Sequence, residues 1–225
     1  MSTKALPILL LLVIVACFAS LPAGAAGGNR CPASEHAIVV SGANEDESVL
    51  IRAGAQQALD LLARCRITPR ETIDIRVEEG VRHPLAGLIF GYYDLEARHI
   101  VLAHLPSIPA LMQGTPYEGI PHRDFFQSLA VHEVVHSVMH QNMKQSAQNQ
   151  ASYEYPAYAL QIASLPVEAR ALFLKAFDSE RIRKAAPFSD TILSFAPYFF
   201  AARAYEHFVG SPDGCERLRT IMTSE

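Results

Sequence analysis

Between Phe125 and Met139 only three side chains ionise: His132, Glu133 and His136. Leu129, Ala130, Val131, Val134, Val135 and Val138 surround them and put apolar surface on every side of the helix this stretch forms, so that helix is expected to be buried. A buried carboxyl group beside two imidazoles costs several kcal/mol of desolvation unless something compensates it, and a divalent cation is the compensation that fits. Two histidines four residues apart project from one helix face a single turn apart and can share one zinc ion at about 2.0–2.1 Å each. Glu133 is rotated by about 100° from His132, so it misses the metal position but reaches a water placed there. Those are the roles of two ligands and a general base. The ion polarises a carbonyl and acidifies the water, while Glu133 takes the proton and returns it to the leaving amine. The chemistry expected of these residues is amide hydrolysis.

His132-Glu133-Val134-Val135-His136 is an H-E-x-x-H motif, and with its uncharged flanks from Leu129 to Val138 it resembles the active-site helix of the zincin metallopeptidases. That resemblance implies a mixed sheet ahead of the helix, ending in an edge strand that aligns an extended substrate, and a third metal ligand from elsewhere. Metzincin-type proteins add a glycine and a third histidine downstream, but Met139 and Asn142 occupy those positions here. Gluzincins instead use a glutamate of the next helix in an E-x-x-A-like context. Glu154 stands in such a context with Ala157, 18 residues beyond His136, so the resemblance assigns it as the third zinc ligand. Pro156 fits the first turn of a helix, which would place Glu154 at that helix's positive end. The resemblance covers about residues 88–161 and the N-terminal signal. Elsewhere only a general likeness to small exported bacterial zincin-like proteins extends.

Neighbouring side chains are less decisive. Three histidines on successive turns span roughly 12 Å and cannot share one ion, so His140 is expected beside the metal sphere or at the surface. Tyr158 shares a helical face with Glu154, where packing is favoured over donating to an oxyanion. His104, Tyr117 and His122 belong to a segment able to line a cleft, but nothing assigns them a role.

The elements that must position this cluster follow from pattern. Ala37 to Val40 reads as a strand, Glu45 to Arg64 as an amphipathic helix with acids in its first turn, and Ile73, Ile75 and Val77 as one face of a second strand. Leu88–Tyr93 and His99–Ala103 flank a polar connection of hairpin length. Residues 104–123 hold four prolines and two glycines, which predicts a long irregular loop. From Asp124 to the C-terminus about five proline-punctuated helical blocks are expected, the first a helix from Phe125 to about Asn142 for which Asp124 and Gln127 resemble a capping box. Strands first and helices last make the fold class α+β, a mixed sheet with an edge hairpin followed by the active-site helix and a helical C-terminal half.

Composition bounds the rest. The 225-residue chain is 50% hydrophobic and 19% charged with formal net charge −4, a globular balance that gives no basic footprint for nucleic acid. Lys4, the apolar run Ile8–Phe18 and Ala23-Gly24-Ala25 read as a signal peptide over residues 1–25, leaving one domain over 26–225, with no stretch long enough to span a bilayer. Ile14-Val15-Ala16-Cys17 offers the alternative of a lipoprotein signal with a lipid anchor on Cys17. Export favours disulfides, and Cys31–Cys65 is the preferred pair among Cys31, Cys65 and Cys215, with three free thiols as the alternative. Three functions compete: a periplasmic or extracellular zinc peptidase acting on a peptide or protein substrate, a catalytically silent zincin-like assembly module, and a metal-free scaffold.

Overall fold

A computed structural model describes residues 37–83, 87–143, 149–184 and 188–223. The signal segment, Cys17 and Cys31 lie outside the described residues. The fold is α+β. Strand β1 (Ile38–Ser41), helix α1 (Glu45–Arg64) and strand β2 (Ile73–Glu78) form a parallel crossover, and the short pair β3 (Arg82–His83) and β4 (Gly87–Leu88) follows. β5 (Gly91–Asp94) and β6 (His99–Ala103) then form a hairpin. The main sheet runs β1-β2-β6-β5, with β5 at its edge antiparallel to the rest. In β2 the buried Ile73, Ile75 and Val77 alternate with Asp74, Arg76 and Glu78, the period-two pattern that turns one sheet face toward the core. At the hairpin turn the Asp94 carboxylate accepts from the backbone of Glu96 and Ala97 at 2.9 and 2.8 Å, and Arg98 takes φ 55°.

Helices fill the remainder: α2 (Ile108–Met112), α3 (His122–Asn142), α4 (Gln150–Ser164), α5 (Val167–Lys175), α6 (Ser179–Lys184), α7 (Asp190–Phe195), α8 (Pro197–Gly210) and α9 (Gly214–Thr223). α3 is the axis of the core, buried almost continuously from Phe125 to Met139 and packed against α1, α4 and the β5–β6 hairpin. α1 approaches it so closely that a Cβ on Gly54 would stand 2.3 Å from the Gln127 carbonyl oxygen. Gln57 fixes the relation of three helices at once, accepting from Gln127 at 3.1 Å and donating to the Ser164 carbonyl at 2.9 Å. The far end of α3 is held by Gln141, whose side-chain oxygen accepts from Arg70 and Glu71 N–H, and by Asn142, which donates to the Thr68 carbonyl.

Several expectations need correction. Cys65 pairs with Cys215, not Cys31, because α9 folds back onto the C-terminal end of α1, where Arg219 also donates to the Cys65 carbonyl. The bridge closes a separation of 150 residues. Losing it through Cys215→Ser is expected to lower stability by about 2–4 kcal/mol, measurable by denaturant unfolding, since the cross-link restricts the unfolded chain. Peptide mapping that recovered a Cys31–Cys65 link instead would contradict this pairing.

Asp124 does not cap α3. The chain enters through Pro121, whose ψ of 127° is extended, and the helix starts at His122, leaving Asp124 in its first turn; Gln127 is spent on Gln57. The segment 104–123 is not wholly irregular, since a 3-10 turn over Leu105–Ser107 and α2 lie within it. Seven helices, α3 to α9, stand among the described residues where about five blocks were expected.

The capping box lies instead at the start of α1, where Asn44 and Glu47 exchange backbone-to-side-chain bonds of 3.0 and 2.9 Å. Glu47 is fully buried, and its other oxygen accepts from Leu105 N–H at 2.9 Å and meets His104 Nδ1 at 3.0 Å. Burial alone would raise its pKa, but Asn44, Leu105 and His104 together outweigh it and hold the carboxyl below 4.5. Because the folded value is the lower one, its stabilisation is complete above the ordinary glutamate value and fades as the pH falls toward the depressed one. Glu47→Ala is expected to cost about 2–3 kcal/mol at neutral pH, leaving three donors without their acceptor. In a series of melting temperatures the gap to wild type should narrow below about pH 4.

Candidate metal centre

α3 and α4 pack side by side and bring His132, His136 and Glu154 together, with one ligand atom from each within 4.8 Å of the others. His132 Nε2 lies 3.1 Å from His136 Nε2, and Glu154 Oε2 lies 3.4 Å from the first and 3.5 Å from the second. Donors about 2.0–2.1 Å from one tetrahedral zinc ion are separated by about 3.3 Å, so the three edges suit a shared metal. Both histidines are almost completely buried and the Glu154 side chain is 18% exposed.

The electrostatics agree with that geometry. Glu154 is opposed by burial, yet His136 and then His132 outweigh it and hold the carboxyl well below the usual carboxylate range. The reason is not the helix terminus. Pro156 lies inside α4, so Glu154 sits in the second turn, and Asn149 caps the helix by accepting from Ser152 N–H at 2.7 Å. Glu133, 4% exposed, has a buried Oε2 with no hydrogen-bond partner among the described residues. Burial pushes its pKa up to about 7, with His132 opposing and Glu154 adding to the rise. Two carboxyl groups thus share one site, one kept ionised by the imidazoles and the other poised to exchange a proton.

The rings are fixed from outside. His132 Nδ1 lies 3.0 Å from Gln161 Oε1, on the face of α4 that also carries Glu154 and Tyr158. A carbonyl oxygen only accepts, so this contact selects the tautomer with the hydrogen on Nδ1, which leaves the Nε2 lone pair toward His136 and Glu154. Tyr153 stacks on His136 with ring centroids 4.3 Å apart, and its hydroxyl donates to the His136 carbonyl at 3.3 Å. Neither Gln161 nor Tyr153 stood out in the sequence; the signal for Gln161 was its place seven residues after Glu154, two turns along the same face. Tyr158 packs edge-on against His132 at 4.7 Å. His140 lies outside the cluster, its Nδ1 2.9 Å from the hydroxyl of Tyr93 on the edge strand β5. His104 serves Glu47, Tyr117 is buried in the aromatic core between Phe125 and Phe173, and His122 is exposed at the start of α3.

Fold and site together define an α+β protein with a two-histidine, one-carboxylate donor cluster gripped between two core helices. Residues 38–225 match DUF6639, a family of unknown function, and the chain belongs to that family. No curated protein and no solved structure matches it significantly.

Proposed function

We propose that the protein is an exported zinc-dependent peptidase of gluzincin type. One observation carries the reading: ligand atoms of two buried histidines and the partly buried Glu154 lie within 4.8 Å of one another, while the neighbouring Glu133 has a carboxyl oxygen without a hydrogen-bond partner among the described residues. Two imidazoles and one carboxylate that converge in this way are relieved of mutual repulsion by protons or by a cation among them, and they are a ligand set suited to catalytic zinc. The ion would supply Lewis acidity toward a water molecule and the scissile carbonyl.

His132, His136 and Glu154 hold the ion in this reading. Glu133 accepts the proton of the attacking water and delivers it to the departing amine, a task for which a carboxyl pKa near neutrality is suited. The edge strand β5 offers backbone groups along which an extended peptide can align. A zinc module without turnover has no need of a carboxyl group at position 133, which favours an enzyme. The Cys65–Cys215 disulfide accords with an oxidising compartment beyond the signal segment 1–25, and among the described residues no helix is long and apolar enough to cross a membrane.

The test is hydrolysis of a mixed peptide library by the purified mature chain. Cleavage that a zinc chelator stops and added zinc restores is the expected result. Cleavage indifferent to the chelator, or none in zinc-loaded protein, would overturn the reading.

A further inference from the structure

We propose that Gln161 is the positioning residue that makes His132 a metal ligand, by fixing which of its two ring nitrogens carries the hydrogen. The inference rests on the zinc reading above but concerns a residue outside the ligand set. Its basis is the 3.0 Å contact of Gln161 Oε1 with His132 Nδ1, made by a side chain only 3% exposed. A neutral imidazole has one N–H, and its tautomer follows from what the protein offers each nitrogen. With an acceptor at Nδ1, the hydrogen stays there and the Nε2 lone pair faces His136 and Glu154. With no acceptor, the hydrogen is free to move to Nε2, where it donates to Glu154 Oε2 at 3.4 Å and has to be displaced before a metal binds.

The two histidines differ in this respect. His136 Nδ1 is buried without a hydrogen-bond partner among the described residues, and its ring is held by the stacked Tyr153. By the same rule His136 carries its hydrogen at Nε2, 3.1 Å from the His132 Nε2 lone pair, so of the two rings His132 is the one whose lone pair is already turned to the metal position by an acceptor behind it. The Gln161 amide is neutral, whereas a carboxylate at the same place would also add negative charge behind the ring and strengthen its donation to a cation. The cluster is therefore oriented for zinc without the tightest grip available to it. Gln161 lies seven residues after Glu154, so α4 supplies a direct ligand and the support of another through one rigid element.

The test compares wild type, Gln161→Leu and Gln161→Glu by competition for zinc ions with a chromophoric chelator. Leucine keeps the volume but removes the acceptor, and zinc affinity is expected to fall by about 10–100-fold. Gln161→Glu is expected to match or exceed wild type. A purely structural role would lower the melting temperature of Gln161→Leu and leave zinc affinity unchanged, and that result would overturn the proposal. Nitrogen-15 spectra of the metal-free chain give a readout that needs no zinc. Wild type should show His132 protonated at Nδ1, and Gln161→Leu should lose that preference; an Nδ1-deprotonated His132 in wild type would also refute the proposal. Wild type that binds no zinc would sink the zinc reading, while the tautomer spectra would still decide the part played by Gln161.

Discussion

Glu133→Gln is expected to retain its zinc and lose peptide hydrolysis by about 10²–10⁴-fold. The amide keeps the volume and much of the polarity of the carboxyl in a pocket where Glu133 is 4% exposed, so the fold and the three ligands should persist. What disappears is a group able to take and return a proton, and the raised pKa of about 7 marks Glu133 as that group. Removing a buried carboxyl with an unpartnered oxygen also removes a desolvation cost, so the variant should be at least as stable as wild type. A loss of activity beside an unchanged or higher melting temperature is a combination that general unfolding does not produce. Activity close to wild type would remove Glu133 from the chemistry.

Glu154→Ala is expected to have the largest effect on the metal. It takes away the only anionic ligand and leaves two imidazoles 3.1 Å apart with nothing to hold a cation between them. Zinc at 100 times its dissociation constant stabilises a folded chain by about 2.7 kcal/mol, and the corresponding rise in melting temperature should appear in wild type and vanish in the variant. Thermal melts with and without added zinc measure it. A variant that melted higher with zinc, as wild type does, would place the binding site elsewhere.

The parts of this architecture that were legible in the sequence are those in which local pattern and tertiary demand coincide. Helix α1 runs over the expected Glu45–Arg64 because its apolar period, its acidic first turn and its burial all agree. The alternation in β2 and the unbroken apolar surface of α3 were equally direct, and the spacing from His132 to His136 placed both imidazoles on one helix face a turn apart. What escaped depends on contacts between distant segments. Cys65 has two prospective partners in sequence, and only the return of α9 to the C-terminal end of α1 selects Cys215. Pro156 looked like a helix start because a proline inside a helix forfeits a hydrogen bond. Burial of α4 between α3 and α8 overrides that cost, and the ionised state of Glu154 comes from two imidazoles instead of a helix end. Asp124 has the composition of a cap, but Pro121 brings the chain in three residues earlier, nearly a full turn. Gln161 left no trace beyond its spacing, because a glutamine becomes informative only once its carbonyl is seen against a ring nitrogen.

The zinc content of the mature chain tests the central claim most directly. Protein purified under metal-replete conditions and dialysed free of excess ion should contain close to one zinc per chain by elemental analysis, with Glu154→Ala prepared in parallel containing almost none. Wild type without zinc, or with the same amount as the variant, would mean that His132, His136 and Glu154 do not form a metal site and that hydrolysis through them does not occur.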